Sequence, residues 1–215
     1  MGGAPHGSLR DAGAVAARGL GGAGVSSAWA GAGCGQVPSG GTAVLGADEE
    51  GLRILEAELA QVKRGERSFP LRLPLHSAFH TSLMAATSAT AKARLAHLAF
   101  RAPKVPLIDG RGYVHRPRWA DPEGLREYTL GVQVTETYDF SAAFSTALNH
   151  CAPDLVVCLG PGNAMGGPVA QLLVAAGWRG VNSKDKLASA QASSPLLAAF
   201  GVAEQAASLR GRAAP

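Results

Sequence analysis

Glycine is spread unevenly along this chain, and that asymmetry limits where a core can form. The first 41 residues hold 13 of the 28 glycines and only three charged residues, Arg10, Asp11 and Arg18. Such a stretch has little apolar surface to offset the entropy of ordering it. Residues 1–41 are therefore expected to be a Gly/Ala-rich, poorly ordered amino-terminal segment. Within it, residues 20–41 are expected to be largely loop or disordered, and Ala12–Arg18 a short helix.

Order is expected to begin at Thr42. Thr42-Ala-Val-Leu45 reads as a strand closed by Gly46. Asp48 can cap a following helix whose apolar face recurs at Leu52, Leu55, Leu59 and Val62. Phe69, Leu71, Leu73 and Leu75 then alternate with Pro70, Arg72 and Pro74, the period of a strand with one buried face; the prolines favour an edge or a strand end. Strand, helix and strand over 42–75 make part of a small α/β subdomain.

Beyond it, a helix is expected from about Ser82 to Phe100, a short buried strand at Val105–Ile108 turned by Asp109-Gly110, and a helix over Phe140–His150. A buried strand at Asp154–Leu159 then runs into the turn Gly160-Pro161-Gly162, and Pro168 can open a helix to about Ala176. Alternation of this kind argues for an α/β core over 76–187. The Ala/Ser-rich tail, 188–215, is expected to be partly helical.

Apolar residues make up 47 % of the 215, enough for one large domain or a domain with a small companion. The formal charge of +4 comes from 20 thinly spread basic residues, and aromatics are only 6 %, so no nucleic-acid partner is expected. Cys34, Cys151 and Cys158 show no C-x-x-C spacing, which argues against a disulfide framework or a zinc site. No apolar run reaches membrane-spanning length, no secretory signal opens the chain, and His6 stands where a myristoylation signal needs Ser or Thr. A cytoplasmic protein without a membrane partner is the expectation.

The segment Leu73-Pro-Leu-His-Ser-Ala-Phe-His80-Thr-Ser-Leu-Met84 places His80 between a strand and a helix, where catalytic side chains often sit. A histidine there can act as a general base near neutral pH. His76 and His80 also have the spacing of two metal ligands on one helical face. However, Pro74 puts His76 in extended structure, and Ser77 stands where the zinc-protease motif has Glu, so no metal is expected. The run Gly160–Gly166 follows a strand and precedes a helix, as a nucleotide loop would. Met165 falls where the dinucleotide fingerprint needs its third glycine, and the Walker lysine is missing. A tight turn with close backbone packing is the better reading.

Four blocks carry a family resemblance. Ala78-Phe-His-Thr-Ser-Leu-Met84 is similar to the active-site histidine block of malonyl-CoA:acyl-carrier-protein transacylases and polyketide-synthase acyltransferase domains. Val37-Pro38 with Thr42–Gly46 resembles the family's Pro-x-x-x-Val-x-x-Gly strand, Val105-Pro-Leu-Ile108 its short strand after the histidine helix, and Leu159-Gly-Pro-Gly-Asn163 its late turn. These blocks stand in the family's order over about residues 36–177.

The resemblance implies the rear part of an α/β-hydrolase-like acyltransferase core with half of a ferredoxin-like small subdomain. It implies transfer of a malonyl group from malonyl-CoA, a coenzyme A thioester, to the phosphopantetheine thiol of an acyl carrier protein, in fatty-acid or polyketide synthesis. His80 would be catalytic, Phe79 would lie in the acyl pocket, and Arg18 would hold the malonyl carboxylate. Malonyl-CoA is then the substrate, and no cofactor or metal is implied. The family's nucleophile motif G-x-S-x-G is absent from these residues, so the chain alone is expected to be inactive and to lack an amino-terminal portion of the same enzyme. A degenerate, non-catalytic homologue that binds a carrier protein or partner subunit is the alternative. The family also often carries a Gln ahead of its last helices. Glu127 stands at the place where that Gln is looked for, with Gln133 six residues on.

Overall fold

A computed structural model describes residues 12–18, 34–35, 42–64 and 66–211, and the fold is α/β. Its residues group into two units, 1–140 and 141–215, each taken by itself below. The division falls inside the segment 76–187.

The first unit is built on a four-stranded antiparallel sheet. In spatial order it runs β2 (Cys34–Gly35), β3 (Thr42–Asp48), β1 (Ala12–Arg18) and β6 (Leu71–Leu73). Ala12–Arg18, expected as a short helix, is thus an inner strand, in register with Thr42–Asp48 on one side and Leu71–Leu73 on the other. Alanine's intrinsic preference for helix is a few tenths of a kcal/mol per residue. Two flanking strands that satisfy the backbone groups of β1 outweigh it. Residues 20–33 and 36–41, expected as loop, lie outside the described residues.

β3 does not stop at Gly46 but continues to Asp48, whose carboxylate accepts a hydrogen bond from the Gly51 amide (2.8 Å) and caps helix α1 (Glu49–Glu58). Leu52 and Leu55 of α1 are fully buried and pack with Ala43, Leu45 and Ala47 of β3, with Leu59 partly buried beside them. Each of those two leucines contributes about 1.5–3 kcal/mol by leaving water. The helical period ends there: Val62 belongs to β4 (Val62–Arg64), which pairs with β5 (Arg67–Phe69). The alternating run 69–75 is not one strand with one buried face. Pro70, which has no amide hydrogen to give a ladder, separates β5 from β6; Phe69 is buried, Leu71 is exposed, and Leu75 lies fully in solvent.

A helical turn at Ser82–Met84 leads into α2 (Ala85–Arg94), shorter than the helix expected to reach Phe100. β7 (Leu107–Ile108) and β8 (Val114–His115) form a hairpin. Val105 and Leu107 are exposed, so this strand is not buried as expected; a two-stranded ribbon leaves one face open. A continuous helical run follows: α3 (Pro122–Glu127), capped by Asp121, a π-helical segment over Tyr128–Val132, and α4 (Gln133–Thr135).

In the second unit, α5 (Phe140–Cys151) leads to β9 (Val156–Cys158), which pairs in parallel with β10 (Leu197–Ala199). β9 is only half-buried, against the expectation of a buried strand. β10 is buried throughout and interrupts a tail expected to be helical in part. α6 (Gly166–Ala175), α7 (Lys184–Ser193) and α8 (Ala203–Gly211) complete the unit. The Gln191 side chain of α7 fixes β10: its carbonyl accepts from the Leu196 and Leu197 amides, and its amide donates to the Leu197 oxygen. Gly160 and Gly162 take φ values of +92° and +69°, which favour glycine. A Cβ on Gly201 would stand 1.9 Å from the Gly162 oxygen, so the Gly-Pro-Gly turn is a site of close backbone packing, as expected.

Candidate active site

His80 sits on a short loop between β6 and α2 whose two anchors are Ala78 and Thr81, both essentially buried. The anchors rest on β3 at Gly46. A Cβ there would lie 2.8 Å from Thr81 Cγ2 and 3.0 Å from the Ala78 Cα, so only glycine lets the loop seat this closely. The Thr81 hydroxyl donates to the Ala78 oxygen (2.7 Å) and accepts from the Leu83 amide (3.3 Å), capping the turn that starts the next helix.

His80 itself takes φ +67°, a left-handed conformation uncommon for a residue with a Cβ. Two main-chain oxygens hold it there. Its amide donates to Val134 O (2.9 Å), and its ring Nδ1 lies 2.6 Å from Gln133 O. A carbonyl only accepts, so Nδ1 carries the hydrogen, and in the neutral ring Nε2 presents a lone pair. Among the described residues Nε2 has no hydrogen-bond partner, and His80 is half-buried.

Gln133 follows directly on the π-helical segment, an irregularity often found at functional sites. That segment is fastened to α2: the Ser88 hydroxyl donates to Leu130 O (2.6 Å), and Lys92 pairs with Glu127. Gly131 leaves room for that pair, since a Cβ would come within 2.8 Å of Lys92 Nζ. Glu127, at the place where Gln was looked for, makes an exposed ion pair with Lys92. Gln133 is the residue that meets His80, through its backbone.

Two aromatic rings flank the imidazole. Phe79 lies 6.4 Å away, centroid to centroid, and Tyr138 5.4 Å. Phe79 is 48 % exposed, so it is not a core side chain. Tyr138 lies over Gly110, where a Cβ would come within 2.3 Å of its ring, and the Asp139 amide donates to Gly110 O (2.8 Å). Burial, and then the Asp109 charge, push the Tyr138 hydroxyl above its usual range.

Behind Gly110 lies a polar cluster that sequence reasoning missed. The buried Asp109 carboxylate accepts from the Arg111 guanidinium (2.6 and 3.1 Å), His115 Nε2 (3.1 Å) and the amides of Arg111 and Tyr113. Burial alone would raise this carboxyl, but hydrogen bonds from Arg111, His115 and the Tyr113 amide outweigh it and hold it below the usual carboxylate range. The signal was Asp-Gly followed by Arg and His at two and six residues, a turn closed by its own acid.

Arg18 ends β1 in register with Thr42; its side chain lies outside the described residues. His76 is exposed, with Nδ1 3.0 Å from Pro74 O. These atoms can therefore present a proton acceptor, the bare Nε2 of His80, beside an aromatic wall.

No family model matches the sequence, and no curated protein does either. Solved structures do match. The acyl-carrier-protein S-malonyltransferase from Burkholderia pseudomallei aligns over 93 % of this chain and 59 % of its own, with TM-score 0.65 and 18 % identity. The chain shares its α/β fold with part of that structure. The Vibrio cholerae malonyltransferase superimposes over 93 % of this chain and 58 % of its own, with TM-score 0.64 and 17 % identity. A malonyl transacylase solved in complex with a type II polyketide-synthase acyl-carrier protein gives TM-score 0.64 over 94 % of this chain and 59 % of its own, at 15 % identity. The chain thus spans somewhat under two thirds of the length of the malonyltransferases it resembles.

Proposed function

We propose that this chain is the histidine-bearing part of an acyltransferase that moves a malonyl group from malonyl-CoA to the phosphopantetheine thiol of an acyl carrier protein. The observation that carries the reading is the His80 imidazole, its Nδ1 committed to Gln133 O and its Nε2 bare, within a malonyltransferase fold. Nε2 takes the proton of a serine hydroxyl as its oxygen attacks the thioester carbonyl, and returns it to the departing coenzyme A sulfur. In the second half, Nε2 takes the proton of the incoming pantetheine thiol and gives it back to the serine oxygen as the ester breaks. Arg18 pairs with the malonyl carboxylate, and Phe79 forms part of the acyl wall. The chemistry is carried by substrate and side chains, without a cofactor, in the cytoplasm.

The serine is the missing partner. No G-x-S-x-G occurs in the 215 residues, so the reading places the nucleophile in a further portion of the same enzyme. The same absence favours a second reading, a non-catalytic homologue that binds a carrier protein. Mass spectrometry after incubation with malonyl-CoA separates the two. The chain alone gains no malonyl adduct on either reading. Joined to an elbow-bearing portion encoded in frame upstream, it becomes malonylated on serine and passes the group to a holo carrier protein. Carrier-protein binding without any such transfer would leave the second reading standing.

A further inference from the structure

A cavity of about 720 Å³ borders the Asp109 cluster, lined by Arg111, Tyr113, His115, Arg116 and Trp119 among others. We propose that this cavity binds a nucleoside phosphate, with the base against Trp119 and Tyr113 and the phosphate at Arg116. The proposal stands apart from the acyl-transfer reading, because none of these residues touches His80 in the described structure.

The cavity has a built floor. Arg111 is held by a two-pronged contact to Asp109 and by its guanidinium lying 4.5 Å over the Tyr128 ring. His115 is buried and fixed by the same carboxylate. The edge-on packing of Tyr113 and His115 rings, 4.8 Å between centroids, sets the first aromatic. Asp109 thus neutralises one cation and holds two side chains, those of Arg111 and His115.

The rim differs from the floor. The Trp119 and Ala120 amides both donate to Arg116 O (3.0 and 2.8 Å), so one tight turn carries Arg116 and Trp119 to the same mouth. Arg116 is exposed and its guanidinium has no ion-pair partner among the described residues. Among the described residues the one carboxylate lining the cavity, Asp121, is turned to its own helix, accepting from the Glu123 and Gly124 amides. Trp119 is 79 % exposed and Tyr113 61 %, an expense of apolar surface to water that a stacked planar ligand would relieve. An unpaired guanidinium beside two open aromatic faces matches the two halves of a nucleotide: an anion for the cation and a flat ring for the aromatics. The volume lies within the range of small-molecule sites.

Titration calorimetry of the full chain with ADP tests this, with adenosine and inorganic pyrophosphate as half-ligand probes. ADP is expected to bind with a dissociation constant below about 1 mM, and each half-ligand at least about 10-fold more weakly. Trp119→Ala is expected to weaken ADP roughly 5- to 150-fold, the range of one lost stacking contact, with Trp119→Phe restoring most of it. Arg116→Ala is expected to bring ADP down to the affinity of adenosine. Both side chains are exposed, and circular dichroism checks that the variants stay folded. Coenzyme A, titrated in parallel on the parent and on Trp119→Ala, shows whether the nucleotide is free or the handle of a thioester carrier; it supports the site only where that variant weakens it as it weakens ADP. The proposal is overturned if ADP does not bind at about 1 mM, if coenzyme A binds but Trp119→Ala leaves it unchanged, or if pyrophosphate matches ADP and Trp119→Ala changes nothing, which would leave only a basic surface.

Discussion

The ring of His80 and the main chain of Gln133 meet at 2.6 Å, and this contact decides which imidazole nitrogen is left for chemistry. Because the acceptor is a backbone oxygen, the side chain at 133 is dispensable for the tautomer. Gln133→Ala should leave His80 in the Nδ1–H form, as read by ¹⁵N chemical shifts of the imidazole at neutral pH. A shift of the proton to Nε2 in that variant would show that the Gln side chain, not its carbonyl, orients the ring.

Gly46 underlies the same loop. In Gly46→Ala the new methyl meets Thr81 Cγ2 and the Ala78 backbone, both immobilised by burial. The expected cost is about 1–3 kcal/mol, the range for overpacking a close-packed site. Urea denaturation measures it. The His80 ring resonances should shift too, since the loop must lift to make room; an unchanged midpoint would mean that β3 and the loop part without cost.

The Asp109 carboxyl is depressed in the folded protein, so the folded state binds this proton less readily than the unfolded chain. Its stabilising contribution is fully present above the unfolded value, about 3.9, and is lost as pH falls through the lower folded value. Asp109→Asn should therefore lower stability at pH 7 and flatten the fall in stability on the acid side. Thermal midpoints between about pH 7 and pH 2.5 give the comparison; parallel curves for the two proteins would contradict it.

Phe79 stands beside the imidazole and half-exposed; on the proposed function its ring narrows the space for an acyl group. On that reading a methyl branch at the acyl α-carbon would clash with the ring, and serine would leave room. A single methyl in a packed pocket discriminates about 10- to 200-fold. In the serine-bearing enzyme, Phe79→Ser should move the kcat/KM ratio toward methylmalonyl-CoA by a comparable factor. No movement, with the protein folded, would remove Phe79 from the pocket.

Sequence made some of this legible and hid the rest for physical reasons. The Asp48 cap, the Leu52/Leu55 face and the close-packed Gly160–Gly162 turn all follow from local chemistry, and local pattern revealed them. Ala12–Arg18 did not, because small residues carry no strand signature and only the two neighbouring strands make it one. The partner of His80 was missed for a different reason. A main-chain oxygen belongs to every residue, so nothing in the side chains of 127 or 133 marks which one the fold brings to the ring. Trp119 and Arg116 drew no notice in the sequence, since a lone exposed aromatic and a scattered arginine gain meaning only on one cavity rim.

On the proposed function, His80 is the proton carrier of malonyl transfer. The most direct test of that role measures transfer from malonyl-CoA to a holo carrier protein in the serine-bearing enzyme, with and without His80→Ala. The expected fall in the variant is about 10²- to 10⁴-fold, with folding intact. Transfer at the unaltered rate in the His80→Ala protein would contradict it.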